Sequence, residues 1–155
     1  MNQALKTLRK TFPDLNWHPF TEDDCWRFCE SRSIVVRRAS LGVDGYTGSR
    51  NVKGKKRTYI LLDDKLSGVR LTAAFLHEIG HVLLHEPTGS TDVLYLRREN
   101  ALETRAEFEA DLFMLLALIP RPLLFEMQSA PPDELHPFGG DLLSRRQRLY
   151  ELIGE

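Results

Sequence analysis

The sequence predicts an α+β fold: one domain, mostly helical, with a small sheet packed on a single central helix. Three observations point there. The chain has 155 residues, the size of one domain with a real core. Two long helix-forming runs, near 68–86 and 102–119, are each followed by a proline, which ends a helix. Two short β-branched runs, Ser33–Arg38 and Arg57–Leu62, precede the first of them and read as strands.

From the N-terminus, residues 2–11 (NQALKTLRKT) form a short amphipathic pattern stopped by Pro13. Asn16-Trp17-His18-Pro19 is a turn signal. Thr21 can cap the next helix, with Asp24 three residues on and acids in the first turn. That helix runs to about Glu30 and is expected to bury Cys25, Trp26, Phe28 and Cys29. After the strand at Ser33–Arg38, the stretch from Leu41 to Lys56 holds Asp44-Gly45 and Thr47-Gly48 and reads as a turn or loop. Gly54-Lys55-Lys56-Arg57 reads as a basic, solvated turn before the strand at Arg57–Leu62. Ser67 or its neighbour starts the central helix, which stops at Pro87. Pro87 to Asn100 has no clear period and reads as loop, with a short strand at Val93–Leu96. Leu102–Ile119 is the second long helix, Leu123–Gln128 one or two further turns, and Ser129–Gly140 a Pro/Gly-rich linker. Asp141–Ile153 is a terminal helix with apolar Leu142, Leu143, Leu149, Leu152 and Ile153. No internal repeat or low-complexity tract interrupts the chain.

Composition narrows the function classes. Hydrophobic residues make up 42% and charged residues 28%, ordinary for a globular protein. The net charge of -1 gives no bulk attraction to nucleic acid or anionic membrane. Residues 1–10 (MNQALKTLRK) lack the apolar core of a signal peptide. The longest apolar run, Leu112 to Ile119, is too short to span a bilayer. Cys25 and Cys29 lie four apart on one predicted helix and read as reduced, packed thiols. The expected location is cytoplasmic.

The chemistry concentrates in the central helix. Residues 71–85 read LTAAFLHEIGHVLLH, with His-Glu-x-x-His at 77–81. Two histidines four apart stand one above the other, about 40° apart in projection, so their rings can converge on one cation. Glu78 projects to the side, placed to reach a water rather than to be a third ligand. Zinc held by three protein ligands keeps an open position, where a bound water is acidified and a carboxylate can take its proton. The flanking residues Leu76, Ile79, Val82, Leu83 and Leu84 are apolar, so the helix is buried, and buried His and Glu need partners. Ala73, Ala74 and Gly80 leave room for a metal or a close-packed neighbour.

Two histidines do not make a tight zinc site, so a third ligand must come from elsewhere. His85 lies roughly 12 Å along the helix axis from His77, too far to share the metal. The second long helix carries Glu103, Glu107, Glu109 and Asp111. At 100° per residue, Glu103, Glu107 and Asp111 fall on one side and Glu109 nearly opposite. Geometry leaves Glu103 and Glu107 in competition. Asp111 could accept the second ring N–H of a ligating histidine. A solvated face accounts for Glu103 and Glu109.

HEIGHVLLH at 77–85, EFEADLF at 107–113 and the closing Leu118-Ile119-Pro120 together resemble the ImmA/IrrE family of bacterial and phage metallopeptidases, zincins with a glutamate as third ligand. The resemblance covers roughly residues 20–128. It implies a zincin-like metallopeptidase domain over 1–128, with 129–155 a linker and helix packed on the same domain. It selects Glu107 over Glu103 as the ligand beside His77 and His81, with Zn2+ as cofactor, Glu78 as the catalytic base and Asp111 as the outer partner of a ligating histidine. Tyr95 and His85, with Tyr46 and His136, are the candidate donors to an oxyanion. The strand at Arg57–Leu62 is expected to pair with an extended substrate.

The implied role is zinc metalloendopeptidase cleavage of one regulatory protein, a helix-turn-helix transcriptional repressor of a phage, mobile element or stress response. That partner is a protein, with neither membrane nor direct nucleic-acid binding involved. Two other classes compete: a non-catalytic antirepressor or immunity/toxin-associated module that sequesters its partner around a structural metal, and a zinc hydrolase of a non-peptide bond. The intact Glu78 favours catalysis, since a structural site needs no general base.

Overall fold

The computed structural model describes residues 2–85, 101–129 and 138–155, without the side chains of residues 2, 101–104 and 139. The order is α1 (Asn2–Thr11), α2 (Glu22–Ser31), β1 (Val35–Ala39), β2 (Gly45–Val52), β3 (Lys55–Asp63), α3 (Gly68–Leu84), α4 (Ala101–Leu118), α5 (Arg121–Gln128) and α6 (Gly139–Ile153). Six helices and one three-stranded mixed sheet make up the described residues, so the α+β expectation holds. No described helix is long and apolar enough to cross a membrane. The strand expected at Val93–Leu96 lies outside the described residues.

Local signals explain several boundaries. Thr21 Oγ1 accepts from the Asp24 N–H at 3.2 Å, and the Thr21 N–H donates to Asp24 Oδ2 at 2.8 Å. This reciprocal box satisfies two otherwise unpaired groups at the start of α2. Cys25 and Cys29 are buried free thiols, and burial pushes the Cys29 thiol up to about 12. Trp26 is not buried as expected: it is 40% exposed. Its indole N–H donates to Glu22 at 3.0 Å, and its ring stands edge-on to Phe75. An indole can cover the core with one edge and keep its polar end wet.

The loop expected between Leu41 and Lys56 is largely strand. β2 pairs antiparallel with β3 from Gly45↔Leu62 to Val52↔Lys55. The turn is Lys53-Gly54, with φ 51° and 77°, as a two-residue hairpin loop with both residues left-handed requires. The glycines of Asp44-Gly45 and Thr47-Gly48 are therefore not turn residues. A Cβ on Gly48 would lie 2.2 Å from the Tyr59 hydroxyl oxygen, so that glycine makes room for the ring.

The strand order is β1-β3-β2, with β1 parallel to β3. This corrects the substrate-pairing expectation. Arg57–Leu62 lies in β3, whose backbone is paired on both sides. A central strand has no free edge to offer. The edge strand beside α3 is β2.

Two helices form the middle of the core. Leu71, Ala74, Phe75, Leu76 and Ile79 of α3 are buried, as are Ala110 and Leu112–Leu118 of α4. Phe113 of α4 meets Phe12 and Phe20, closing the N-terminal segment over the core. α6 is tied down by Arg146, fully buried. It donates to Ile119 O at 2.7 Å, Glu155 O at 2.7 Å and Asn16 Oδ1 at 2.8 Å. A buried guanidinium is tolerated when its donors are met in this way.

α3 and α4 touch at Gly80. A Cβ there would lie 3.0 Å from Ala110 Cα and 3.1 Å from its carbonyl oxygen. Glycine costs about 1 kcal/mol of helix propensity relative to alanine, and the close helix contact requires it. Gly80→Val is expected to destabilise by about 1–3 kcal/mol, the range for overpacking, which outweighs any propensity gain. Thermal melting should fall roughly 2–4 °C per kcal/mol. An unchanged melting temperature would show that the two helices are not wedged at this point.

Candidate metal centre

His77 and His81 lie one turn apart on α3, and α4 crosses them in the opposite chain direction. Asp111 meets His77, while Glu107, one turn earlier on α4, spans His77 and His81. The His77 Nε2–Glu107 Oε2 and His81 Nε2–Glu107 Oε1 distances are both 3.1 Å. The two Nε2 atoms are 3.2 Å apart. Behind them, His77 Nδ1–H donates to Asp111 Oδ1 at 2.8 Å. Asp111 Oδ2 in turn accepts from Arg145 of α6 at 2.5 Å.

These atoms fit a small divalent cation. Among the described residues, His77, His81 and Glu107 form a group that could hold a metal ion. A tetrahedral zinc with ligand bonds near 2.0–2.1 Å has ligand–ligand edges of about 3.3 Å, and the three observed edges are close to that. Asp111 holds the proton of His77 on Nδ1, so Nε2 turns a lone pair into the site. The donor set, two imidazoles and one carboxylate, suits zinc.

The local field also favours positive charge. Burial works to lower the His77 pKa, but hydrogen bonds to Asp111 and Glu107 outweigh it and push it up to about 10. Hydrogen bonds from His77 and His81 hold the Glu107 carboxyl far below the usual carboxylate range. Asp111 is lowered as well: burial opposes this, and His77 and Arg145 prevail.

Glu78 sits to one side, only 6% exposed. Burial raises its pKa, against the Thr47 hydrogen bond and the nearby histidines. The Thr47 hydroxyl lies 2.6 Å from Glu78 Oε2 and 3.2 Å from the Glu78 carbonyl oxygen. Gly45 lets the carboxylate lie against the strand, since a Cβ there would come 2.8 Å from Glu78 Cγ. So β2 grips the acid that the helix supplies. A buried carboxyl beside two imidazoles, its pKa raised by burial, is suited to take and return a proton.

A model of the IrrE N-terminal-like domain, a peptidase family, matches residues 29–146. The chain belongs to this family. The match runs from the end of α2 into α6 and includes His77, Glu78, His81, Glu107, Asp111 and Arg145, with Gly45 and Thr47. No curated protein and no solved structure matched. The IrrE-like domain thus carries a peptidase-family scaffold with a group able to hold a metal.

The structure brings His77, His81, Glu107 and Asp111 of this IrrE-like domain together, with Glu78 beside them. Tyr95, His136 and the Glu103 side chain lie outside the described residues. Tyr46 lies in β2 with its ring 6.2 Å from that of Tyr59. His85 does not fit the role of oxyanion donor: one ring nitrogen is 3.2 Å from His81 and the other 2.9 Å from Glu109. Glu109, expected on a solvated face, is buried, because His85 and Arg105 both bind it. Gly45, Thr47 and Arg145 escaped the sequence reading. The Gly-x-Thr of residues 45–47 resembles a turn, and its partner Glu78 is far along the chain.

Proposed function

We propose that this protein is a zinc-dependent metalloendopeptidase that cleaves a specific regulatory protein, a helix-turn-helix repressor. One observation carries the chemistry: two Nε2 atoms and one carboxylate frame a single point, with the buried Glu78 beside the same histidines. His77, His81 and Glu107 would hold the metal. When bound, zinc would acidify a water and polarise the substrate carbonyl.

Glu78 takes a proton from the attacking water at its carboxylate. The hydroxide oxygen bonds to the carbonyl carbon. Glu78 then gives the proton to the departing nitrogen as the C–N bond breaks, so it ends as it began. Thr47 and Gly45 keep the carboxylate still through both transfers. Asp111 keeps His77 oriented, and Arg145 keeps Asp111 oriented. The substrate chain adds to the outer edge of β2, which bears no strand among the described residues. Backbone pairing of this kind gives affinity with little sequence reading.

The repressor as substrate is supported by the family resemblance of HEIGHVLLH and EFEADLF. The test is purified protein stripped with a chelator and incubated with helix-turn-helix repressors from the same genome. Stripped protein should leave them intact, and added zinc should restore cleavage of one into defined fragments. Repressors all left intact by the fully loaded protein would overturn this substrate assignment.

A further inference from the structure

His85 and Glu109 are not used by the chemistry above, yet they form a continuous chain with the metal centre. α3 ends at Leu84, and His85 departs from helical geometry with φ -132° and ψ 120°. Its backbone N–H still bonds to His81 O at 2.8 Å. Its ring lies 5.3 Å from the His81 ring. His85 Nδ1 lies 3.2 Å from His81 Nδ1, and His85 Nε2 lies 2.9 Å from Glu109 Oε2. Glu109 Oε1 accepts from Arg105 Nε at 2.9 Å. Glu109 is itself 9% exposed.

Counting donors and acceptors leaves one arrangement. A histidine that ligates through Nε2 must carry its proton on Nδ1. His81 Nδ1 is then a donor, and its neighbour His85 Nδ1 must accept. A neutral imidazole that accepts at Nδ1 carries its own proton on Nε2. That proton points at Glu109, an anion that can only accept and that Arg105 holds in place. Every position in the series is satisfied, and with both imidazoles neutral and Glu109 ionised no other placement of protons satisfies all of them while His81 Nε2 faces a metal.

We infer that His85 and Glu109 are positioning residues for His81: the Glu109–His85 pair fixes its tautomer and ring orientation, as Asp111 does for His77. The two ligating histidines thus have separate supports, a carboxylate directly behind His77 and an imidazole–carboxylate pair behind His81. This rests on the metal-centre reading of His77, His81 and Glu107.

Two measurements test it. The first is zinc affinity, by chelator competition, of the wild type, His85→Leu and His85→Gln. Losing an outer partner costs about 10- to 100-fold in metal affinity, and His85→Leu should lose that much. In His85→Gln the amide oxygen accepts from His81 and the amide nitrogen donates to Glu109, so affinity should return close to wild type. Equal affinity for wild type and His85→Leu would refute the inference, as would a glutamine variant no better than leucine. A wild type that binds no zinc would instead refute the metal centre.

The second uses 15N-labelled, zinc-loaded wild type and needs no variant to fold. Long-range 1H–15N spectra should show His85 protonated on Nε2 and bare at Nδ1, with N–N coupling across the hydrogen bond from His81 Nδ1. A proton on His85 Nδ1 would overturn the assignment even if the leucine variant proved unstable.

Discussion

Replacing Glu78 with glutamine is expected to abolish hydrolysis while zinc and fold are retained. Glutamine has nearly the same shape, and its amide oxygen can still accept the hydrogen bond that Thr47 gives at 2.6 Å. It cannot take a proton. General-base catalysis is worth about 10²- to 10⁴-fold, and the cleavage rate should fall by at least that range. Stability should not suffer. Burial already disfavours the charged form of Glu78, and a neutral amide removes that cost. Metal content, melting temperature and the cleavage rate of the repressor check the three parts. Wild-type cleavage by Glu78→Gln would remove Glu78 from the chemistry. A sequestering protein behaves differently: its Glu78→Gln variant would relieve repression in cells as well as the wild type does, with the repressor uncut.

The second large effect is on the metal. Glu107→Ala should lose zinc, while Glu103→Ala should keep it. Structural zinc sites bind with about 10–16 kcal/mol, so one of three or four ligands is worth roughly 3–4 kcal/mol, on the order of 10²- to 10³-fold in affinity. Glu107 touches both Nε2 atoms through its two oxygens at 3.1 Å, so its removal leaves two imidazoles facing an empty corner. Metal analysis after dialysis decides the matter. Loss of zinc from Glu103→Ala alone would show the ligand to be the wrong glutamate.

The helices were readable because their signals are local. The capping box of Thr21 and Asp24, and the prolines after the long helices, act within a few residues. The strand β2 was not readable. Gly45 and Gly48 mimic turn signals, but each is small because a distant side chain, Glu78 or Tyr59, occupies the space. Strand order was hidden for a similar reason. Nothing in Arg57–Leu62 says that Val35–Ala39 and Gly45–Val52 pair on either side of it. Without that order the central strand was mistaken for the edge.

The histidine pair and its neighbouring acid follow from the chain alone, because 3.6 residues per turn places positions 77, 78 and 81 wherever the helix sits. Which carboxylate meets the pair does not. Glu103 and Glu107 share a side of their helix, and only the register of α4 against α3, set where Gly80 meets Ala110, brings Glu107 to both rings. The same register brings Glu109 to His85 at the end of α3. Helical repeat is a property of the backbone within one segment. Contact between segments depends on how closely two surfaces can approach, and that is decided only when they pack.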